Sequence, residues 1–115
     1  MALYGHPQSI VIDSDGGNKF YTLINSGMTD LVYKVRSSNN ADYRFKSVYG
    51  IIKAGSTATI EVIRSVRGLF TKAPPKSDRF IVQYGVLPIG VTDPQQACAD
   101  FKPIGAITVG LYAMP

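Results

Sequence analysis

The chain has 115 residues, of which 45% are hydrophobic and 17% charged, and its net charge at pH 7 is +4. This length fits a single domain over residues 1–115, and the one cysteine excludes an internal disulfide framework. We expect a cytoplasmic protein without direct membrane insertion, because the sequence lacks a signal-peptide pattern and any apolar run of the ~20 residues that cross a bilayer.

Seven segments in chain order have the composition of short β-strands. Each alternates apolar with polar residues or is rich in aromatic and β-branched side chains, and turn-forming residues lie between them. The segments are residues 9–13, 19–25, 31–36, 43–46, 57–64, 79–84 and 106–113. We expect the long stretch 65–78 to form an exposed loop, and residues 93–101 to form a short helix with Asp93 as N-cap and Pro94 at its first position.

The clearest strand pattern lies in the central stretch 43–65. Two strand-like segments flank a Gly50–Gly55 connection, and the second segment places Ala58, Ile60 and Val62 on one face. Ile63 interrupts the polar side of that segment. We therefore predict that Ile63 points outward and is a candidate contact for self-association.

The number and length of these strands predict the fold. Seven short strands separated by turns, with almost no helix, indicate an all-β, immunoglobulin-like β-sandwich. A parallel sheet is not expected, because no crossover helices separate the strands.

Few residues in the sequence have the chemistry of a catalytic or metal site. His6 stands beside a proline outside any catalytic motif, and Cys98 lies in a small-residue segment typical of a packed thiol. Asp13 and Asp15 flank a glycine pair, which favours turn capping over calcium binding. We predict that the protein is not an enzyme and binds no metal or cofactor.

The charge is concentrated in the middle of the chain. Between Lys34 and Arg79 there are ten Lys or Arg against three acidic residues, a local charge of +7, and the remainder carries −3. This distribution fits an acidic partner or an ordinary solvated surface equally well. Nucleic acid is the weakest candidate partner, because no recognition motif is present and Tyr43, Phe45 and Tyr49 can equally lie in the core.

Four segments together resemble one known family, the major sperm protein domain. They are Leu23–Gly27, Lys34–Ser38, Gly50–Ser56 and Arg79–Gln83, in the order and spacing of that family. The domain occurs in nematode sperm cytoskeletal proteins and in the VAMP-associated membrane-contact proteins. The resemblance implies a seven-stranded, immunoglobulin-like sandwich of the MSP and PapD-like type. Because the sequence shows neither a coiled coil nor a tail anchor after residue 113, we expect a stand-alone sperm-type member similar to the small sperm-specific proteins.

The resemblance also implies a ligand site. In the membrane-contact branch, an extended acidic peptide with aromatic anchors binds a basic residue with two hydroxyl residues, and a basic-x-apolar pair on another strand. The matching positions here are Arg36, Ser37, Ser38, Arg79 and Ile81. Arginine can bind a carboxylate or phosphate with two parallel hydrogen bonds. The alternative is an ordinary solvated strand face.

The function implied is that of a non-enzymatic protein-interaction domain, a structural or accessory component of the sperm cytoskeleton that could form a homodimer. The alternative is a monomeric adaptor that binds acidic or phosphorylated peptides. Two positions depart from the family pattern: Ser47, where the family usually has proline, and Ala54, where it often has. We expect the edge strand near Ser47 to be formed differently in this chain.

Overall fold

The computed structural model describes residues 3–13, 15–65, 77–100 and 102–114. Within these ranges nine strands and one helix form a two-layer sandwich. The elements are β1 (Leu3–His6), β2 (Ser9–Asp13), β3 (Gly17–Asn25), β4 (Leu31–Ser37), β5 (Tyr43–Lys46), β6 (Tyr49–Ile52), β7 (Thr57–Arg64), β8 (Ser77–Val86), α1 (Pro94–Asp100) and β9 (Gly105–Met114).

The strands form a four-stranded sheet and a five-stranded sheet. The first has the order β1-β3-β7-β5 and the second the order β2-β9-β8-β4-β6. All pairs are antiparallel except β2 with β9, which pairs in parallel from Ser9–Gly110 to Asp13–Met114. The chain from β2 to β9 runs through β3 to β8 and α1, so a single crossover helix does not connect this parallel pair. The predicted immunoglobulin-like sandwich is thus confirmed, with one parallel pair added.

All seven predicted strands are present, and two short strands were missed. β1 has only four residues before Pro7, too few to show a clear alternation. The prediction of a connection over Gly50–Gly55 was wrong in part, because Gly50 to Ile52 belong to β6. Gly50 looks like a turn residue, but it lies in a strand under the ring of Tyr33, where a Cβ atom would overlap that ring. The turn itself contains Gly55, whose φ is 75°.

Aromatic side chains form the centre of the core between the sheets. Tyr21 and Phe80 meet edge to face at 5.3 Å between ring centroids, and the ring centroid of Phe45 lies 5.2 Å from that of Phe80. Burial raises the pKa of Tyr21 to about 12. The alternation of β8 is as predicted: Phe80, Val82 and Tyr84 are buried.

The predicted helix is confirmed as α1. The N–H of Gln95 donates to Oδ1 of Asp93 at 3.2 Å, which makes Asp93 the N-cap. Ala97 and Cys98 pack on Val32, an outward residue of β4, so α1 covers one end of the five-stranded sheet. Among the residues that the structure describes, no helix has both the length and the apolar character needed to cross a bilayer.

The loop predicted over 65–78 falls largely outside the described residues, which omit 66–76. The prediction also extended this loop two residues too far. Ser77 and Asp78 already belong to β8, since they pair with Tyr112 and Leu111 of β9.

The two departures from the family pattern have direct structural counterparts. Ser47 connects β5 of one sheet to β6 of the other, and its φ is 72°. Proline, whose ring fixes φ near −65°, cannot adopt this conformation. The N–H of Ala54 donates to Oδ1 of Asp30 at 2.8 Å, a hydrogen bond that proline could not make.

Candidate peptide-binding site

The five residues predicted as a ligand site lie together on the outer face of the five-stranded sheet. Arg36 on β4 pairs with Ile81 on β8, and both side chains point away from the core. One surface depression of about 160 Å³ is lined by all five residues. We call this depression the arginine groove; its residues are Arg36, Ser37, Ser38, Arg79 and Ile81.

The two arginines give the groove its positive charge. Both are exposed, on neighbouring strands, with the partly buried Ile81 beside them. Nε of Arg36 donates to Oε1 of Gln83 at 2.9 Å, which orients the guanidinium across the sheet face. An oriented guanidinium loses less conformational entropy when it binds a carboxylate or phosphate.

The hydroxyl groups of the groove are also part of its framework. The backbone N–H of Ser38 donates to the carbonyl oxygen of Arg79 at 3.0 Å, and the N–H of Arg79 donates to Oγ of Ser38 at 3.0 Å. The Ser38 hydroxyl donates in turn to Oδ1 of Asp78 at 3.3 Å. Oγ of Ser37 accepts from the N–H of Asn39 at 3.1 Å. The Ser38 hydroxyl therefore joins the end of β4 to β8, whereas the Ser37 hydroxyl stabilises the turn that follows β4.

A buried amide supports the groove from below. Asn39 is 8% exposed, and its Nδ2 donates to Oδ2 of Asp42 at 2.9 Å and to Oδ2 of Asp78 at 3.1 Å. Its Oδ1 accepts from the backbone N–H groups of Ala41 and Asp42. In the sequence, Asn39 is one of the turn-forming residues between the predicted strands 31–36 and 43–46. Its link to Asp78, 39 residues further along the chain, had no signal in the sequence.

Arg64 extends this polar cluster into the core. It is 2% exposed at an inward position of β7, and its guanidinium lies 5.0 Å from the ring centroid of Tyr43. Burial raises the pKa of the Tyr43 phenol, and the positive charge of Arg64 opposes that rise. The basic residues counted in the central segment therefore include Arg64, which is buried in the core and adds no surface charge.

The aromatic residues considered for nucleic-acid binding do not form a stacking platform. Tyr43 is 1% exposed, and Phe45 packs against the core. Tyr49 is exposed on β6, which lies on the other side of β4 from β8, and Nζ of Lys34 is 5.8 Å from the Tyr49 ring centroid. The three rings therefore do not present a common surface to a single strand of nucleic acid.

The residues examined for catalysis lie on opposite sides of the sandwich. His6 is exposed on the four-stranded sheet, whereas Cys98 belongs to α1 and is buried against β4, where its Sγ lies 3.2 Å from the carbonyl oxygen of Tyr33. Burial raises the pKa of the Cys98 thiol, which disfavours the nucleophilic thiolate. Asp13 belongs to a turn, in which its carbonyl oxygen accepts from the N–H of Gly16 at 3.0 Å. Among the described side chains, no three of His, Cys, Asp or Glu are grouped closely enough to hold a metal ion.

Comparison with known proteins gives a consistent result. The model of the MSP (major sperm protein) domain family matches residues 3–106. Sperm-specific class P protein 16 of Caenorhabditis elegans is 30% identical over 113 residues, which is 98% of each chain.

Solved structures of similar fold agree with the match to this family. SSP-19, an MSP-domain-like protein of C. elegans, superposes with a TM-score of 0.87 at 26% identity, covering 96% of this chain and 98% of that one. The YadV chaperone shares the fold alone, with a TM-score of 0.71 at 14% identity, covering 100% of this chain and 52% of that one.

Proposed function

Because the chain belongs to the MSP domain family, which comprises protein-interaction domains rather than enzymes, we propose that it binds an extended acidic or phosphorylated peptide in the arginine groove. One observation above all supports this function. The five residues selected by position in the sequence line a single depression, although 40 residues separate the two halves of the set.

The chemistry of the groove fits an acidic ligand. Two exposed guanidinium groups can each bind a carboxylate or phosphate with paired hydrogen bonds. Ile81 between them offers an apolar contact to the peptide chain. The volume of about 160 Å³ is below the roughly 300–1,000 Å³ of small-molecule pockets, so the groove suits an extended segment lying across the sheet better than a compact small molecule.

Titration with short synthetic peptides tests this proposal. One peptide carries glutamates, a second carries phosphoserines at the same positions, and a third carries glutamines. The first two should bind and the third should not. Arg79→Glu should weaken binding at least about tenfold, because it replaces an attractive charge with a repulsive one.

Lys53→Glu is the matched control. It makes the same charge change at an exposed position beyond the end of β6, and β6 pairs with the end of β4 that is distant from Arg36. If both variants weaken binding equally, the effect is that of net charge alone, and the groove proposal fails.

A second candidate function is that of a structural or accessory component of the sperm cytoskeleton, in the cytoplasm, acting through self-association. The supporting observation is the outer face of the four-stranded sheet. Tyr4, Phe20 and Ile24 are 59%, 58% and 38% exposed there. Exposed apolar side chains on one face are typical of a protein–protein contact. The sperm assignment derives from the names of the relatives.

Sedimentation velocity over a concentration series tests the second function. Self-association should increase with concentration and should decrease in Phe20→Ser. A strict monomer at every concentration would exclude assembly through this face and leave the peptide-binding proposal untouched. Ile63, the predicted self-association contact, is partly buried between Asn18 and Arg44, so Ile63→Ser should have a smaller effect than Phe20→Ser.

A further inference from the structure

A second, larger depression adjoins the arginine groove on the outer face of the five-stranded sheet. Its volume is about 570 Å³, and it shares Ser38 and Arg79 with the groove. Its far wall is formed by Thr108, Gly110 and Tyr112 of β9. Since Arg79 borders both depressions, they form one continuous surface across β4, β8 and β9.

The far wall presents an exposed aromatic ring. Tyr112 is 41% exposed, and its ring lies over Gly110, where a Cβ atom would stand only 2.8 Å from Cε2. Val11 of β2 pairs with Tyr112 and is 53% exposed on the same face. We call these two side chains, with Gly110 beneath the ring, the tyrosine shelf.

The register of the strands places the two arginines and Tyr112 on one diagonal. Arg36 pairs with Ile81, two residues from Arg79, and Arg79 pairs with Gly110, two residues from Tyr112. The step from Arg36 to Arg79 and the step from Arg79 to Tyr112 each move to the neighbouring strand and two residues towards the same end of the sheet. Diagonal neighbours of this kind are about 7–8 Å apart. Alternate residues of an extended peptide are about 7 Å apart and point to the same side, so the two spacings match.

The charges along the diagonal differ. The first two positions are cationic, whereas the shelf, formed by Val11, Gly110 and Tyr112, carries no charged side chain. A third acidic group would find no cation at the shelf and would gain little, whereas an aromatic or aliphatic side chain can pack on the Tyr112 ring.

From this geometry we infer that the peptide of the proposed function lies diagonally across the sheet, with acidic side chains at positions i and i+2 on Arg36 and Arg79, and an apolar side chain at i+4 on the tyrosine shelf. This inference rests on the proposed function and adds the sequence pattern of the ligand. Tyr112 is then a residue that determines specificity.

Three peptides test the pattern, each synthesised in both chain directions. The first carries glutamate at i and i+2 and phenylalanine at i+4. The second has serine in place of phenylalanine, and the third has phenylalanine moved to i+3, where its side chain points away from the sheet. Wild-type protein should bind the first about five- to tenfold more tightly than the others, as measured by calorimetry.

Tyr112→Ala should bind all three peptides equally, at the affinity that wild type has for the serine peptide. Phe20→Ala, which removes an exposed aromatic side chain from the other sheet, should keep the full discrimination. Thermal unfolding of both variants checks that they are folded.

The outcomes separate the two proposals. If wild type binds the three peptides equally while Arg79→Glu loses binding, the groove stands and the shelf inference is wrong. If Tyr112→Ala keeps the preference for the first peptide, the shelf inference is again wrong. If wild type binds none of the peptides, both proposals fall. The comparison among peptides on wild-type protein needs no variant, so it holds even if Tyr112→Ala does not fold.

Discussion

The outer faces of the two sheets are built from the same kind of alternating strand, yet they carry different surfaces. The face of the five-stranded sheet has α1 over one end and Arg36 with Arg79 towards the other. The face of the four-stranded sheet exposes Phe20 and Ile24 among threonines. Alternation alone therefore does not determine what a face can bind.

The difference arises below the surface. Behind the arginine groove, Asn39 donates to the carboxylates of Asp42 and Asp78, and Asp78 also accepts from the Ser38 hydroxyl. Hydrogen bonds of this kind fix direction as well as distance. On the other face, the side chains of Phe20 and Ile24 have no polar atoms, and Glu61 contacts the exposed side chains of Asn18 and Lys46 rather than a buried group. A fixed polar framework suits recognition of oriented charges, whereas an apolar face suits contacts without a strict orientation.

The largest effect is expected from removal of the buried amide. Asn39→Leu should lower the free energy of unfolding by about 2–4 kcal/mol, because it removes the hydrogen bonds of Asn39 to two backbone N–H groups and to the carboxylates of Asp42 and Asp78. Guanidinium unfolding measures this change. The control, Thr59→Ala on the exposed face of the other sheet, should change stability by at most about 0.5 kcal/mol. Equal effects of the two variants would contradict the difference between the faces.

A smaller effect is expected at the connection between the sheets. Ser47→Pro should cost about 1–3 kcal/mol, because proline cannot adopt the positive φ of this residue. Ser47→Gly should be neutral or slightly stabilising, since glycine adopts this φ without steric cost. Thermal unfolding of both variants checks the prediction. A Ser47→Pro variant as stable as wild type would show that the connection can take another path.

Alkaline pH should weaken the core that both faces share. The pKa of Tyr21 is raised from 10 to about 12 in the folded protein, so its contribution is complete below pH 10 and is lost as the pH rises to 12. The unfolding temperature should fall across this window, and Tyr21→Phe should flatten the fall. Absorbance of tyrosinate gives the ionisation directly. A Tyr21→Phe variant with an unchanged pH profile would assign the loss to Tyr33 and Tyr43, whose pKa values burial also raises.

The smallest effect on stability is expected at the most exposed ring of the four-stranded sheet. Phe20→Ser should change the free energy of unfolding by no more than about 0.5 kcal/mol, because the side chain is 58% exposed. Urea unfolding at low protein concentration measures this value. A larger loss would mean that Phe20 supports the fold itself.

Much of the fold could be predicted from the sequence because alternation is a local property. β2, β5 and β7 have the predicted limits, and Asp93 caps the helix as expected. The residues of the arginine groove, on β4 and β8 and just after β4, were identified through similarity to a known family. Their strands are adjacent, so the residues meet.

The parts that could not be predicted depend on distant partners. Alternation tells which side chains share a face, but it does not show that the chain changes sheets at Ser47. The burial of Arg64 was equally hidden, since an arginine after alternating apolar residues is normally a surface residue. The link between Asn39 and Asp78 spans 39 residues and leaves no local pattern.

The parallel pairing of β2 with β9 affects the order in which the protein can fold during synthesis. β2 occupies an edge of the five-stranded sheet, and its only strand partner there is β9, the last described strand. The growing chain must therefore carry β2 unpaired until residues 105–114 have left the ribosome. Contacts so distant in sequence also slow folding, because a long loop must close before they form. We expect completion of this edge to be the final step of folding, and a nascent chain stopped before Gly105 to remain incomplete at the N-terminal edge of the sheet.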